Sequence, residues 1–294
     1  MDLRGTIGAV VRLPFESDRL VEILCETEPS AATNPEDEDY STFWLVVADQ
    51  FAKRGIVSDR ARDIALQIID SGSDLAILGK LGMSPADLKK RAKMLVEVRT
   101  RAAAPIVAKP RTVLKKPQPL LMEVGDAFVY PIHRREVFGD TAHRRIDWEC
   151  INPYFTSKKR SSHGDTWTQD GWAAYVIVDS GRAFDFLSWY RPLLARTPWI
   201  ADKPSLETLR GEVLWAWETP GTCSAQHFKR MELEKLGTFA LDAEKVKRIF
   251  PDMSPGISAA VSDISIANRI NIMDLSVYAK KPQTLPNIQP ILMN

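Results

Sequence analysis

Between His133 and Asp165 the chain gathers three of its four histidines, His133, His143 and His163, together with Asp147, Glu149 and Asp165. Imidazole and carboxylate are the groups that move protons and ligate metals. A hydrolase or nuclease built here would draw on His163 and Asp165, with His143 and Glu149 in support. The spacing carries no signature of such a site, because neither HExxH nor HxH occurs in the chain. Cys223 and His227 stand four residues apart, which aligns two side chains on one helix face, but two ligands alone do not hold a zinc ion. No GxSxG elbow, no GxxxxGK loop and no GxGxxG turn is present. These absences make an enzyme the less favoured reading, and no cofactor or metal is expected.

The same stretch supplies a different chemistry. Arg134, Arg135, Arg144, Arg145, Lys158, Lys159 and Arg160 alternate with Trp148, Tyr154, Phe155 and Trp167. Cations that neutralise phosphates, set beside rings on which bases stack, suit single-stranded nucleic acid. Glu136, Asp140, Asp147 and Glu149 dilute that field, and a long solvated loop accounts for the composition equally well. Exposed aromatics next to arginine also anchor protein interfaces. The binding residues expected on this basis are Arg134, Arg135, Arg144, Arg145, Trp148, Lys158, Lys159, Arg160 and Trp167.

The elements that must position these residues follow from periodicity. Phe43, Val46, Val47 and Phe51 share one face of a helix that Gly55 ends. Ser58 caps a second helix with Ala61, Ile64, Ala65, Ile68 and Ile69 inward, and a shorter one spans 74 to 81. Ser84 and Pro85 then open a helix to Arg101, with Asp87 three residues after its cap. Leu88, Ala92 and Leu95 face inward, while Lys89, Lys90, Arg91 and Lys93 crowd the other faces. Glu36 to Asp39 place negative charge where the first strong helix starts.

From Ala102 to Pro119 there are four prolines, four basic residues and no acid, the composition of a semi-rigid linker. Net charge is −4 over residues 1 to 100, +5 over 101 to 119 and zero beyond. That contrast would let the linker dock on the acidic helices.

Beyond it the texture is β-like. Val124 to Ile132 reads as a strand, and Trp172 to Val178 with Phe184 to Trp189 as a hairpin turning at Asp179-Ser180-Gly181. Glu212 to Glu218 alternates in period two. Trp172, Trp189, Trp215 and Trp217 are expected in the core of a barrel or sandwich, and Trp167 and Trp199 on loops. Ser224 and Asp242 would cap helices, the first bearing Phe228, Met231 and Leu236, and residues 280 to 294 read as a surface arm or loose tail.

The segment EVGDAFVYPI, residues 123 to 132, joins a Gly-Asp turn to an aromatic strand ending in proline. It resembles the opening of a β-rich immunity-protein family from bacterial polymorphic-toxin systems. GWAAYVIVDSGRAF, residues 171 to 184, would form a hairpin of the same barrel. The resemblance covers residues 120 to 240 and leaves out the helical part. It implies a cytoplasmic protein that blocks a toxin by surface complementarity, without catalytic residues.

The expected fold is therefore α+β: a helical module over 1–101, a basic linker over 102–119, and a β-rich module with later helices over 120–294. With near-neutral charge, no CxxC pair among three cysteines and no apolar run of about 18 residues, a cytoplasmic, soluble protein is expected. A protein is the expected partner, nucleic acid the alternative, and a membrane is not expected.

Overall fold

A computed structural model describes residues 3–105, 107–136, 166–196, 199–200, 202–217, 220–223, 225–230, 233–250 and 284–293. It divides into two compact units, with the boundary between Lys116 and Pro117.

The first unit is helical: α1 (Leu3–Val10), α2 (Ser17–Thr27), α3 (Pro29–Thr33), α4 (Tyr40–Arg54), α5 (Asp59–Ser71), α6 (Ser73–Lys80) and α7 (Pro85–Ala103). The caps lie where local chemistry places them. Ser58 Oγ accepts from the Ala61 amide at 3.3 Å. Ser84 Oγ accepts from the Asp87 amide at 3.2 Å and donates to the Asp87 carboxylate at 2.8 Å. Each satisfies donors that a helix start leaves open. Phe43, Val47 and Phe51 of α4, Ala61, Ala65 and Ile68 of α5, and Leu95 and Val98 of α7 are buried. Trp44 is buried too, outside the expected stripe, and its indole donates to the Ala32 carbonyl at 3.2 Å.

Past α7 the chain runs extended along this unit rather than as a free linker. The Lys109 amide donates to the Gly55 carbonyl and the Leu114 amide to that of Arg12. The Arg111 guanidinium donates to the carbonyls of Val11, Leu13 and Phe15, in the connection between α1 and α2. The expected docking on acidic side chains is thus replaced, for Arg111, by docking on backbone carbonyls. Pro117 to Pro119 belong to the second unit, where Gln118 bonds Phe186, Ser188 and Arg182.

The second unit centres on an antiparallel sheet. Its strands are β1 (Asp126–Glu136), β2 (Thr166–Ala183), β3 (Leu187–Ala195), β4 (Trp199–Ile200), β5 (Trp215–Trp217), β6 (Gly221–Thr222), β7 (Glu234–Thr238) and β8 (Thr284–Leu285). The path is β7-β1-β2-β3-β5-β8, with β4 beside β2 and β6 beside β3. It is an open sheet, not a closed barrel. Helices α8 (Leu206–Arg210), α9 (Ala225–Arg230) and α10 (Ala243–Ile249) accompany it.

Both faces of the sheet are buried. Ala127, Ala174, Val176, Leu193 and Trp215 lie under Leu209 of α8, Phe239, and Val246 and Phe250 at α10. Phe128, Tyr130, Tyr175, Ile177 and Tyr190 lie opposite, with Met122, Cys223 and Phe228. Every residue of β3 is buried, as a strand covered on two faces should be.

Several expectations shift. The hairpin does not turn at Gly181, which pairs with Trp189 inside the ladder. The chain reverses at Phe184 and Asp185, with φ of 51° and 63°, and the Phe186 amide donates to the Ala183 carbonyl at 3.1 Å. Gly181 serves packing instead, because a Cβ there would meet the Trp189 ring at 2.9 Å. Trp167 and Trp199 stand in strands. Leu236 lies in β7, so the helix expected from Ser224 ends before it. The described tail is no loose arm: Leu285, Ile288 and Ile291 are buried in the core, because their apolar side chains complete the face under α10.

The Gly-Asp motif of the resemblance has a structural part to play. Gly125 has φ of 93°, and a Cβ on it would meet the Phe239 carbonyl oxygen at 2.1 Å. Asp126, 3% exposed, accepts from the Glu123 amide and the Thr238 hydroxyl, each at 3.0 Å, and pairs with Lys235 at 2.6 Å. The two residues lock the start of β1 to β7.

Candidate functional site

Strand pairing is local enough to place part of the expected binding surface. Among the described residues β1 and β2 run past the strands that flank them: β7 pairs with β1 over Asp126 to Val129, and β4 with β2 at Gly171 and Trp172. Their ladder nevertheless continues through His133↔Gln169, Arg134↔Thr168, Arg135↔Trp167 and Glu136↔Thr166, after a register shift between Ile132 and His133. Among the described residues this is a two-stranded ribbon extending from the sheet. A shift of that kind bends and twists the strands that carry it.

Arg134, Arg135 and Trp167 therefore occupy positions on the ribbon rather than in a loop, with Arg135 and Trp167 directly opposed. The placement of their side chains lies outside the described structure. Arg144, Arg145, Trp148, Lys158, Lys159 and Arg160, and the alternative catalytic set His143, Glu149, His163 and Asp165, lie outside the described residues. They belong to the segment that the ribbon carries between Glu136 and Thr166.

A second group, which sequence reading missed, sits on the sheet itself. Arg191 of β3 is 1% exposed and stands opposite Asp179 of β2, next to a register shift between Ile177 and Asp179. Its guanidinium lies over the Trp217 ring, 5.7 Å from the centroid. Burial disfavours the charged form of both partners, pulling the Arg191 pKa down and pushing the Asp179 pKa up, each partly countered by the other's charge. Lys247 of α10 adds positive charge near Asp179. Among the described residues Nε and Nη2 of Arg191 meet no hydrogen-bond acceptor, and neither does the buried Nε1 of Trp215 on the same sheet face. The signal in the sequence was one arginine inside an otherwise apolar strand, LSWYRPLLA.

The thiol of Cys223 is enclosed by the aromatic face, and burial pushes its pKa up to about 12. A thiol so raised is not a nucleophile at neutral pH. The His227 side chain lies outside the described structure. Among the described residues no three His, Cys, Asp or Glu side chains gather as metal ligands. No helix among them is long and apolar enough to cross a membrane.

Comparison with protein families, with curated proteins and with solved structures finds no match to this chain.

Proposed function

We propose that the protein is a non-enzymatic interaction protein of the cytoplasm, of immunity or regulatory type, that binds a protein partner through the β1–β2 ribbon and the segment it carries. The observation that supports this reading is the ladder's continuation past its flanking strands, with Arg134 and the Arg135–Trp167 rung on it. Arginine and tryptophan are the residue types that most often dominate binding energy at protein interfaces. A ribbon rooted in a buried sheet holds them at low entropic cost on association.

The test compares the full chain with a variant carrying Arg134→Glu, Arg135→Glu and Trp167→Ala, after circular dichroism has established that both fold. Capture of a protein partner from native lysate should be lost in the variant. Undiminished capture would overturn the reading.

The alternative, nucleic-acid binding through the same arginines and the basic linker, rests on the charge of residues 133 to 163. It would appear as a gel shift that weakens steeply with salt. Arg111 contributes little to it, being engaged by three carbonyls.

A further inference from the structure

The basic residues of α7 divide into two sets. Its arginines hold the helix to its neighbours: Arg91 pairs with Asp74 of α6, Arg99 with Asp70 of α5 and Arg101 with Asp49 of α4. Its lysines do not. Lys89, Lys90 and Lys93 are exposed and lie, with the exposed Ala86, on the side of α7 opposite the buried Leu95, Val98 and Ala102. Among the described residues Lys89 and Lys93 form no ion pair, and Lys90 pairs with Asp87 of its own helix between side chains 79% and 54% exposed. A pair so exposed is weak and readily exchanged.

The approach to α7 is equally specific. α6 ends in a Schellman motif, in which the Met83 amide donates to the Leu78 carbonyl at 3.0 Å and the Gly82 amide to the Gly79 carbonyl at 3.1 Å, with Gly82 at φ of 87°. Ser84 then caps α7, with Pro85 in its first turn. Four residues, Leu81 to Ser84, thus join a helix of 8 residues to one of 19, and α5, α6 and α7 pack on one another. A short helix, a glycine turn and a long helix with a free basic face are the parts of a helix-turn-helix.

We propose that α6 and α7 form a helix-turn-helix that docks on duplex DNA, with the first turns of α7 in the major groove and Lys89, Lys90 and Lys93 neutralising phosphates beside it. A helix with its side chains is about 10–12 Å across and the groove about 12 Å wide. The short side chain of Ala86 lets the start of α7 approach the base edges. The acidic excess of residues 1 to 100 lies outside this stretch, since seven basic residues and two acids occur between Lys80 and Arg101. The surface belongs to the helical unit, so it stands or falls apart from the ribbon.

The test titrates the full chain into a labelled duplex of mixed sequence, and into one of its single strands, over a series of salt concentrations. Saturable binding that favours the duplex is expected. Replacing Lys89, Lys90 and Lys93 together by alanine, at exposed positions where alanine keeps the helix, should weaken it about tenfold or more at low salt. The slope of log affinity against log salt should fall by about three, one for each lost phosphate contact. Arginine at the same three positions should restore both. A chain that leaves the duplex unbound at low salt, or binds the single strand as tightly, overturns the proposal. So do unchanged affinity and slope in the alanine variant, whatever Arg134→Glu with Arg135→Glu does on the ribbon.

Discussion

The guanidinium of Arg91 on α7 closes on the carboxylate of Asp74 on α6 through two bonds of 2.8 Å, and Asp74 is only 1% exposed. The pair staples the helices on either side of the turn at Gly82. Removing one partner of a buried pair strands the other charge, which costs about 3–5 kcal/mol. Arg91→Ala should therefore lower the stability of the helical unit by about 3 kcal/mol, somewhat less than a fully enclosed pair because Arg91 is partly exposed. Urea unfolding followed by the helical circular-dichroism signal measures it, and a loss below about 1 kcal/mol, the range of a surface pair, would count against the staple.

Arg111 holds the extended chain after α7 to the connection between α1 and α2. Hydrogen bonds to charged groups contribute about 1.5–3 kcal/mol each at most, and three share one guanidinium. Arg111→Ala should release residues 107 to 116, so that trypsin cuts after Lys115 well before the helices are lost. Equal digestion rates in the two proteins would contradict the anchoring.

Gly125 is the position where β1 can least accept a side chain. Gly125→Ala forces a left-handed φ on a residue with a Cβ and drives that atom into the Phe239 carbonyl. A loss of about 3 kcal/mol or more in the second unit is expected. Calorimetry of this variant beside Gly8→Ala, where a Cβ meets nothing, separates the clash from a generic glycine effect.

The end of the chain is part of the core, so its removal should unfold the sheet's neighbours. Ile291→Ala, at a wholly buried position, is expected to cost about 2–5 kcal/mol. Truncation after residue 283 should leave a species that binds hydrophobic dyes. A truncated chain with unchanged melting temperature would refute the packing of Leu285, Ile288 and Ile291.

Cys223 should resist alkylation in the native state at pH 8, while the half-buried Cys25 reacts faster. Mass mapping after iodoacetamide treatment reads both. Because the folded Cys223 pKa is raised from 9.0 to about 12, its contribution to stability is complete below pH 9. It is lost as pH climbs from 9 towards 12, where the unfolded thiol ionises and the folded one does not. Cys223→Ala should flatten that part of the stability profile.

The helical unit was legible because its determinants are local. Ser58 and Ser84 bond amides three residues ahead, Gly55 ends α4 where the apolar stripe ends, and Leu95 and Val98 repeat at helical spacing. All of that can be read in a short window. The β-rich unit was legible only in kind. Its alternating aromatics announced strands, but Asp179-Ser180-Gly181 carries better turn residues than Phe184-Asp185, and pairing chose the latter. With Gly181 inside the ladder the Trp189 ring has room beside it, and β2 and β3 keep their buried faces aligned over eight rungs.

What the sequence determined on its own was the division into a helical part and a β-rich part, the caps, and the residue types available at the candidate sites. The tertiary structure decided the rest: that Arg111 ends on carbonyls of the connection between α1 and α2, that the terminal isoleucines enter the core, that β1 and β2 form a ribbon, and that Arg191 is enclosed with an unmatched edge. These depend on partners tens of residues or more away in the chain. Such contacts form only when distant segments exchange water for one another, and no short window of sequence records which segments will meet.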